Sequence, residues 1–294
     1  MKRNNSWSRT LFLAANYVFL IGASILCLLP LLHVLSVSLS SSAAAMGGLV
    51  GLWPVQFTFD AYTYALKKPE FLVALMVTLK RAVLGTAVSM FLVVLTAYPL
   101  AKEATRFKWR TVYAWFFVTT ILFHGGLIPS YMTIKTLGLL DSIWALVLPG
   151  AVAVFNIILL LNFYRGLPRE LEESAFMDGA GHWTTLWRIY VPLSTPALAT
   201  ITLFTVVGHW NSWFDGLIYM NSPENYPLQS YLRTIIIGKD MQLMTSVDLS
   251  ELANLSERTI KSSQIFLAAL PILAVYPFLQ RFFVKGIVMG SVKG

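Results

Sequence analysis

The chain has 294 residues, of which 56% are hydrophobic and only 12% are charged, and its formal net charge is +8. Soluble domains carry roughly 25% charged residues, so the composition excludes a soluble protein and indicates helices that cross a membrane several times. Excess Lys and Arg are typical of cytoplasmic membrane loops. No soluble basic domain is visible, so we expect no nucleic-acid partner, and the lone Cys27 excludes a disulfide framework or a thiolate metal cluster.

Three apolar segments in the first half of the chain predict membrane-spanning helices, at about 11–35, 82–101 and 112–131. The first follows a short basic N-terminus, as in a signal peptide. It is longer than the apolar core of about 7–15 residues that such peptides have, so we predict that it is retained as a span. In the third, the Gly and Pro residues of "LFHGGLIPSY" are expected to loosen the helix near its far end.

Three further apolar segments, at about 143–163, 195–220 and 263–280, complete a prediction of six spans. The expected fold class is all-α integral membrane, with residues 1–294 forming one transmembrane domain. Lys and Arg are denser in the alternate connections that share the side of the N-terminus. This bias predicts that both termini are cytoplasmic and that the protein is a multi-pass protein of the cell (inner) membrane.

Lys80, Arg81 and Arg233 fall near the outer side of the membrane in this topology. Their charge would attract an acidic solute, but docking of an external protein or contact with lipid headgroups explains them equally well.

The longest cytoplasmic connection is the coupling loop, 164–192, between the fourth and fifth spans. Its glutamates, in "ELEE", favour the positive N-terminal end of a short helix, and Gly179 is placed to end that helix in a left-handed conformation. A metal or acid–base site that includes His182 is disfavoured, because the carboxylates do not share one helical face. A plain solvated connector is the other alternative.

A second short helix is predicted at 182–190, with Pro192 ending it. Its apolar residues would be presented to a partner: Trp183, Leu186, Trp187 and Ile189. Two short helices along the cytoplasmic surface, with an apolar side available, predict a docking element.

The coupling loop resembles the cytoplasmic signature of permease subunits of binding-protein-dependent ABC importers. That signature is Glu-Ala-Ala, three residues, Gly, nine residues, then Ile-x-Leu-Pro. Here Glu173-Ser174-Ala175 is followed by three residues and Gly179, and nine more lead to Ile189-Tyr190-Val191-Pro192. Two positions depart, where Ser174 replaces Ala and Val191 replaces Leu, and both replacements are small.

The resemblance covers nearly the whole chain. The ending "KGIVMGSVKG" is similar to the tail of carbohydrate permeases such as the smaller permease subunit of the maltose importer. The run "HWNSWFDGLIYM" is similar to the branch that imports oligosaccharides and polysaccharide fragments, which includes the second permease subunit of the alginate importer.

The resemblance implies the type I importer permease fold, with a cytoplasmic coupling helix between the fourth and fifth spans, and it implies the partners. These are a second permease subunit, most often a different one, two copies of a cytoplasmic ATPase, and an external solute-binding protein. It also implies contact between the ATPases and the C-terminal tail, 286–294. The residues that it assigns to ATPase coupling are Glu173, Ser174, Ala175, Met177, Asp178 and Gly179.

Polar and aromatic residues of the fifth span are candidates for a sugar pathway, because polar groups at membrane depth are costly and commonly face a cavity. Trp rings suit the C–H faces of sugars, and Asn and Asp can bind hydroxyl groups. An aromatic belt at the membrane interface and hydrogen bonds between helices are the alternatives. The candidates are His209, Trp210, Asn211, Trp213 and Asp215, with His124 and Asn156 from the third and fourth spans.

The chain is predicted not to be an enzyme and to hold no cofactor or metal itself. It lacks the G-x-x-x-x-G-K-[ST] loop that cradles phosphates, since Gly238-Lys239 has neither the upstream Gly nor a following Ser or Thr. ATP and Mg²⁺ would bind to partner ATPases. Two other functions stay open: an ABC permease for a non-sugar solute such as a peptide or amino acid, and an ion-coupled secondary carrier. A carrier would predict an inverted repeat, and none is visible.

Overall fold

The computed structural model describes residues 7–103, 105–123, 125–237 and 256–290. The regular secondary structure of these residues is helical, with loops between the helices and one isolated antiparallel bridge between Ser40 and Phe57. The all-α prediction is therefore confirmed for the part of the chain that is described. The helices are α1 (Trp7–Ser38), α2 (Ser42–Met46), α3 (Asp60–Lys67), α4 (Pro69–Ala101), α5 (Arg110–Leu122), α6 (Leu127–Thr136), α7 (Ile143–Val147), α8 (Val154–Arg165), α9 (Glu170–Met177), α10 (His182–Thr185), α11 (Val191–Leu193), α12 (Thr195–Asn211), α13 (Phe214–Tyr219), α14 (Leu228–Ile237) and α15 (Glu257–Gly290). A π-helical turn, Leu186–Tyr190, joins α10 to α11, and a 3-10 turn covers Pro223–Asn225.

Two of these helices, α1 and α4, are each long and apolar enough to cross a membrane. Two bent pairs raise the number of spans to as many as four among the described residues, if each pair is one span. One pair is α5 with α6, and the other is the run His182–Leu193 with α12, which bends by 81°.

α4 begins 13 residues before the predicted start of the second span, at Pro69 instead of 82. The sequence prediction stopped at the charged pair Lys80 and Arg81. The helix continues through them because its buried residues keep a spacing of three and four, which places them on one stripe. That stripe includes Phe71, Ala74, Thr78, Arg81, Ala82, Gly85 and Ser89.

Three of the predicted spans are interrupted. The third breaks between α5 and α6, where Gly126 has a φ of 86°, as the paired glycines predict. The fourth breaks between α7 and α8, around Pro149-Gly150, because proline removes a backbone donor. The fifth ends its main helix at Asn211 and resumes at Phe214. The sixth corresponds to α15, which is longer than the predicted 263–280.

The chain divides into two compact units. The first comprises Met1–Pro69 and Ile236–Ala269. Its small apolar core contains Val37, Ala44, Ala45 and Val50. Hydrogen bonds attach the start of α15 to this unit, since Ser256 N donates to Ser42 Oγ at 2.7 Å and Ser263 Oγ donates to the Ala61 carbonyl at 3.2 Å.

The second unit comprises Glu70–Ile235 and Leu270–Gly294 and holds both candidate sites. Its main core lies where α4 meets α8, α12 and the coupling loop. Lipid tails are as apolar as leucine, so helices in a membrane associate through close packing and hydrogen bonds more than through the hydrophobic effect. The buried residues at this junction include Val93, Ala97, Tyr98, Leu160, Tyr164, Leu186, Tyr190 and Ile201.

Candidate functional site

The short helix α9 closes at Gly179 as predicted. Gly179 has a φ of 80°, a conformation that only glycine adopts cheaply. Its N–H donates to the Phe176 carbonyl at 3.0 Å, and the N–H of Ala180 donates to the Ala175 carbonyl at 2.9 Å. These two bonds form a Schellman motif, which satisfies carbonyls at the end of the helix.

α9 presents most of the predicted coupling residues to its surroundings. Met177 is 88% exposed, while Ala175 is buried and fixes the inner face of the helix. The exposed coupling residues form a surface at its C-terminal end: Glu173, Ser174, Met177, Asp178 and Gly179.

The aromatic surface predicted for the second short helix is present only in part. Trp183 and Trp187 are exposed and pack edge to face, with ring centroids 6.2 Å apart. Leu186 was expected on the same surface but is 1% exposed. The reason is the helical period, because residues four apart share a face. Trp183 and Trp187 therefore occupy one side, and Leu186 and Tyr190 occupy the buried side.

Pro192 does not end this helical run, contrary to the sequence prediction. The π-helical turn Leu186–Tyr190 is followed directly by α11, with Pro192 in its first turn. The run continues through this position although proline removes one backbone donor from it. The run ends instead at Ser194, before α12.

A buried polar cluster lies beneath α9, and we call Lys102, Glu172 and Tyr190 the buried triad. Lys102 Nζ is 2.7 Å from Glu172 Oε2, and both side chains are 8% exposed. The hydroxyl of Tyr190 donates to the same oxygen at 2.7 Å, and Lys102 Nζ donates to that hydroxyl at 3.2 Å. The ammonium also lies over the rings of Tyr98 and Tyr190, at 3.9 and 4.3 Å from their centroids.

Burial and pairing act in opposite directions on the pKa values of the triad. Burial alone would raise the pKa of Glu172, but the hydrogen bonds from Lys102 and Tyr190 and the nearby positive charges outweigh it and lower that pKa. For Lys102, burial prevails over the attraction of Glu172, and its pKa is lowered. Burial and the Glu172 carboxylate raise the pKa of Tyr190, so its hydroxyl keeps its proton and donates.

More exposed ion pairs surround the triad at the edge of a cavity of about 380 Å³ that is lined mostly by charged residues. Arg106 contacts Glu172 at 3.3 Å and Glu173 at 3.4 Å, and Arg169 contacts Glu103 at 2.5 Å. The sequence prediction missed this cluster. The sequence offered two signals for the cluster, which were a lysine directly after an apolar span and an acid beside the signature glutamate. These two residues, Lys102 and Glu172, lie 70 residues apart in the chain, so nothing in the sequence pairs them.

A different cavity, separate from the one beside the triad, has a volume of about 410 Å³ and lies among α4, α7, α8, α12 and α13. We call it the polar cavity. Arg81 on α4 is 2% exposed and forms an ion pair with Asp215 through its two terminal guanidinium nitrogens. Asp215 also accepts from Ser212 Oγ at 2.8 Å and from the N–H of Gly216 at 2.9 Å, and these bonds fix the first turn of α13.

The structure brings together three of the predicted pathway residues in the polar cavity: His209, Asp215 and Asn156. Asn156 Nδ2 donates to Thr205 Oγ1 at 3.2 Å, which ties α8 to α12. Arg81, which the sequence places near the outer side of the membrane, also lines this cavity. Ser89, another lining residue, has a buried hydroxyl with no hydrogen-bond partner among the described residues.

The other pathway candidates lie elsewhere. Trp210 lines a separate apolar cavity with residues of α4 and α15. Asn211 is exposed, and the ring of Trp213 lies 4.5 Å below the guanidinium of Arg233. His124 falls outside the described residues, as do the last four positions of the tail 286–294.

α4 and α12 approach each other closely beside the polar cavity. A Cβ added at Gly85 would lie 2.6 Å from His209 Cε1, closer than real Cβ contacts allow. Glycine at this position therefore permits the buried imidazole of His209 to lie against the backbone of α4, as small residues do in packed membrane helices.

Asp141, between α6 and α7, joins two connecting segments. Its carboxylate accepts from the N–H groups of Asn221 and Ser222, both at 3.1 Å, and from Ser222 Oγ at 2.5 Å. Hydrogen bonds from Ser222 and Asn225 lower the pKa of Asp141 to about 2. Its φ is 60°, which Asp and Asn tolerate better than other non-glycine residues.

Among the described residues, no group of three or more His, Cys, Asp or Glu side chains could hold a metal ion.

A family model described as "Binding-protein-dependent transport system inner membrane component" matches residues 3–289 of the chain. The chain belongs to this family. Protein LplC of Bacillus subtilis (strain 168) is 43% identical to this permease over 291 residues, which cover 99% of this chain and 98% of the relative. The polygalacturonan/rhamnogalacturonan transport system permease protein YtcP of the same organism is 41% identical over 282 residues, which cover 95% and 96%.

A crystal structure of a bacterial ABC transporter involved in the import of the acidic polysaccharide alginate contains a chain similar to this permease. The TM-score is 0.87 and the identity is 33%, over 96% of this chain and 100% of that one. The family confirms the resemblance inferred from the coupling loop. Its members are inner membrane components of transport systems rather than enzymes, and those systems depend on a binding protein.

Proposed function

We propose that this permease is one transmembrane subunit of an ATP-driven importer that moves an acidic oligosaccharide into the cytoplasm. Two relatives support the substrate class. One transports polygalacturonan or rhamnogalacturonan according to its name, and the structural neighbour belongs to an alginate importer. Both kinds of polymer carry carboxylates on their sugar rings.

In the proposed topology the chain is one transmembrane domain that crosses the membrane six times, with both termini in the cytoplasm. The long helices α1 and α4 are two spans, and the pair α5–α6 and the helix α12 with α13 are two more. The remaining spans are α7 with α8, and α15. Both candidate sites then have a consistent position, with the coupling loop at the cytoplasmic face and the polar cavity within the membrane.

α9 is the proposed coupling helix, and its exposed C-terminal surface is the observation that carries the proposal. The Schellman motif satisfies the last carbonyls of the helix, and Met177 and Asp178 are exposed beside it. Two cytoplasmic ATPases, one on this permease and one on a second, different permease, would press on such helices as they close around ATP. The C-terminal tail would reach the same ATPases, and an external solute-binding protein would deliver the oligosaccharide.

The polar cavity is the proposed contribution of this subunit to the sugar pathway. Asp215, His209 and Asn156 place a carboxylate, an imidazole and an amide around one space, and these are groups that bind hydroxyls. The free hydroxyl of Ser89 adds a further polar group. Arg81 is engaged by Asp215, so the pair offers polar contacts to a sugar while remaining nearly neutral overall.

A matched pair of glycine variants tests the coupling assignment. Neither Gly179 nor Gly181 has a heavy atom near an added Cβ, but only Gly179 has a positive φ. A β-branched residue at Gly179 costs about 1–2 kcal/mol of local strain and reshapes the docking surface. We expect Gly179→Val to abolish ATP-dependent uptake by the reconstituted complex, with normal membrane insertion, while Gly181→Val transports normally. Normal uptake by Gly179→Val would refute the assignment.

A further inference from the structure

The buried triad connects three elements that the proposed mechanism must move together. Lys102 directly follows α4, Glu172 lies in α9, and Tyr190 closes the π-helical turn that leads to α12. The Oε2 atom of Glu172 is the common point, because Lys102 and Tyr190 both reach it at 2.7 Å. One carboxylate oxygen thus joins the coupling helix to the end of α4 and to the π-helical turn that precedes α11 and α12.

Stability alone is a weak reason for such a cluster. Taking two charges out of water is costly, and buried ion pairs can often be replaced by apolar residues without loss of stability. Buried polar groups with short, directional bonds instead specify one arrangement of the elements that carry them. Lys102 is further held between the rings of Tyr98 and Tyr190, so its ammonium has little freedom to follow a shifted partner.

The outer ion pairs cannot supply the same connection. The side chains of Arg169 and Glu103 are 76% and 50% exposed, and those of Arg106 and Glu173 are 44% and 59% exposed. Exposed pairs of this kind contribute little, since water and salt screen them and their long side chains rearrange freely. Arg106 also contacts the buried Glu172, at 3.3 Å, but its own side chain is 44% exposed. The buried triad is therefore the more rigid link between α9 and the end of α4.

Resting on the proposed function, we propose that Lys102, Glu172 and Tyr190 are positioning residues that transmit the displacement of α9 to α4 and α12. They contact neither ATP nor sugar. With the triad intact, a displacement of α9 by an ATPase also moves the end of α4 and the π-helical turn that leads to α12. With the triad broken, α9 moves without α4 and α12, and ATP is hydrolysed without a matching movement of the spans.

The test measures ATP hydrolysis and oligosaccharide uptake separately, in proteoliposomes that contain the whole complex with its ATPases, second permease and binding protein. Tyr190→Phe removes one hydroxyl and keeps the ring that packs in the core. We expect hydrolysis within about twofold of the unmodified complex and uptake per ATP lowered about fivefold or more. The matched control removes an outer pair, Glu103→Gln with Arg169→Gln, and should leave uptake per ATP unchanged.

A second variant keeps the proposal testable if Tyr190→Phe has too small an effect or fails to fold. Lys102→Met combined with Glu172→Gln removes both charges together, so neither remains buried without its partner, and the same loss of uptake per ATP is expected. A proportional fall in hydrolysis and uptake would mean that the triad only stabilises the fold, and an unchanged ratio in both variants would mean that it transmits nothing. Either result overturns the inference. Absence of ATP-driven uptake in the unmodified complex would overturn the proposed function instead.

Discussion

Asp141 holds two connecting segments together through a single carboxylate, and its backbone is in a left-handed conformation. Replacement by Ala removes every acceptor on the side chain and leaves a non-glycine residue at a φ of 60°. We expect Asp141→Ala to destabilise the protein by about 2 kcal/mol, and Asp141→Asn by about half as much, because Asn keeps one acceptor and tolerates the conformation. The unfolding midpoint of the detergent-solubilised protein measures both, and equal losses would contradict the argument.

The same residue has a predictable pH dependence. Its pKa is about 2 in the folded protein, against 3.8 ordinarily. A carboxyl group with a lowered folded-state pKa contributes stability above its unfolded pKa, and that contribution is lost as the pH falls through the folded value. The difference in midpoint between the unmodified protein and Asp141→Ala should therefore be constant from pH 7 to about 5, and should shrink as the pH falls from 3.8 toward 2.

The environment of some individual residues can be predicted from the sequence, and that of others cannot. The role of Gly179 at the end of α9 could be predicted, since a helix terminus is a local feature with a local glycine signal. The environments of Arg81 and Lys102 could not, because their partners lie 134 and 70 residues away. Only the folded chain shows that these cations are buried and paired.

α4 and α13 are joined by the buried ion pair between Arg81 and Asp215. Removing one partner leaves the other charge without compensation, which costs about 3–5 kcal/mol at buried sites. We expect Arg81→Met to destabilise the protein by about 3 kcal/mol, and the double variant with Asp215→Asn to lose no more than the single one. A cycle of four unfolding midpoints measures the coupling, and strictly additive losses would contradict a direct pair.

Helix boundaries follow the packed stripe more closely than they follow hydropathy. α4 extends past two cations because its buried positions continue in helical register. Helix breaks are harder to locate. The break at Gly126 could be predicted from a glycine pair, while the break at Ser212 and Trp213 contains neither proline nor glycine. There Asp215, in the first turn of α13, accepts hydrogen bonds from Ser212 and Gly216 and is also paired with the distant Arg81. The arrangement is therefore tertiary as much as local.

The class of the whole molecule could be predicted from the sequence, because an apolar composition and a spaced signature of about twenty residues determine the membrane class and the family.

The alternative of an ion-coupled carrier makes a different prediction for the isolated chain. We expect no uptake by this permease alone under a proton or sodium gradient, and ATP-dependent uptake once the ATPases, the second permease and the binding protein are present. Oligosaccharides of uronic acids should be taken up at least about tenfold faster than neutral ones of equal length. Gradient-driven uptake by the chain alone would favour the carrier.

The contact between Gly85 and His209 also bears on how related chains diverge. Position 85 has no room for even a methyl group while an imidazole fills the space opposite. A related chain with alanine or serine at position 85 must therefore have a smaller residue in place of His209. Otherwise one of the two helices must shift, which changes the shape of the neighbouring cavity. Substitutions at these two sites should accumulate in tandem, and chains that select different cargo should differ at both.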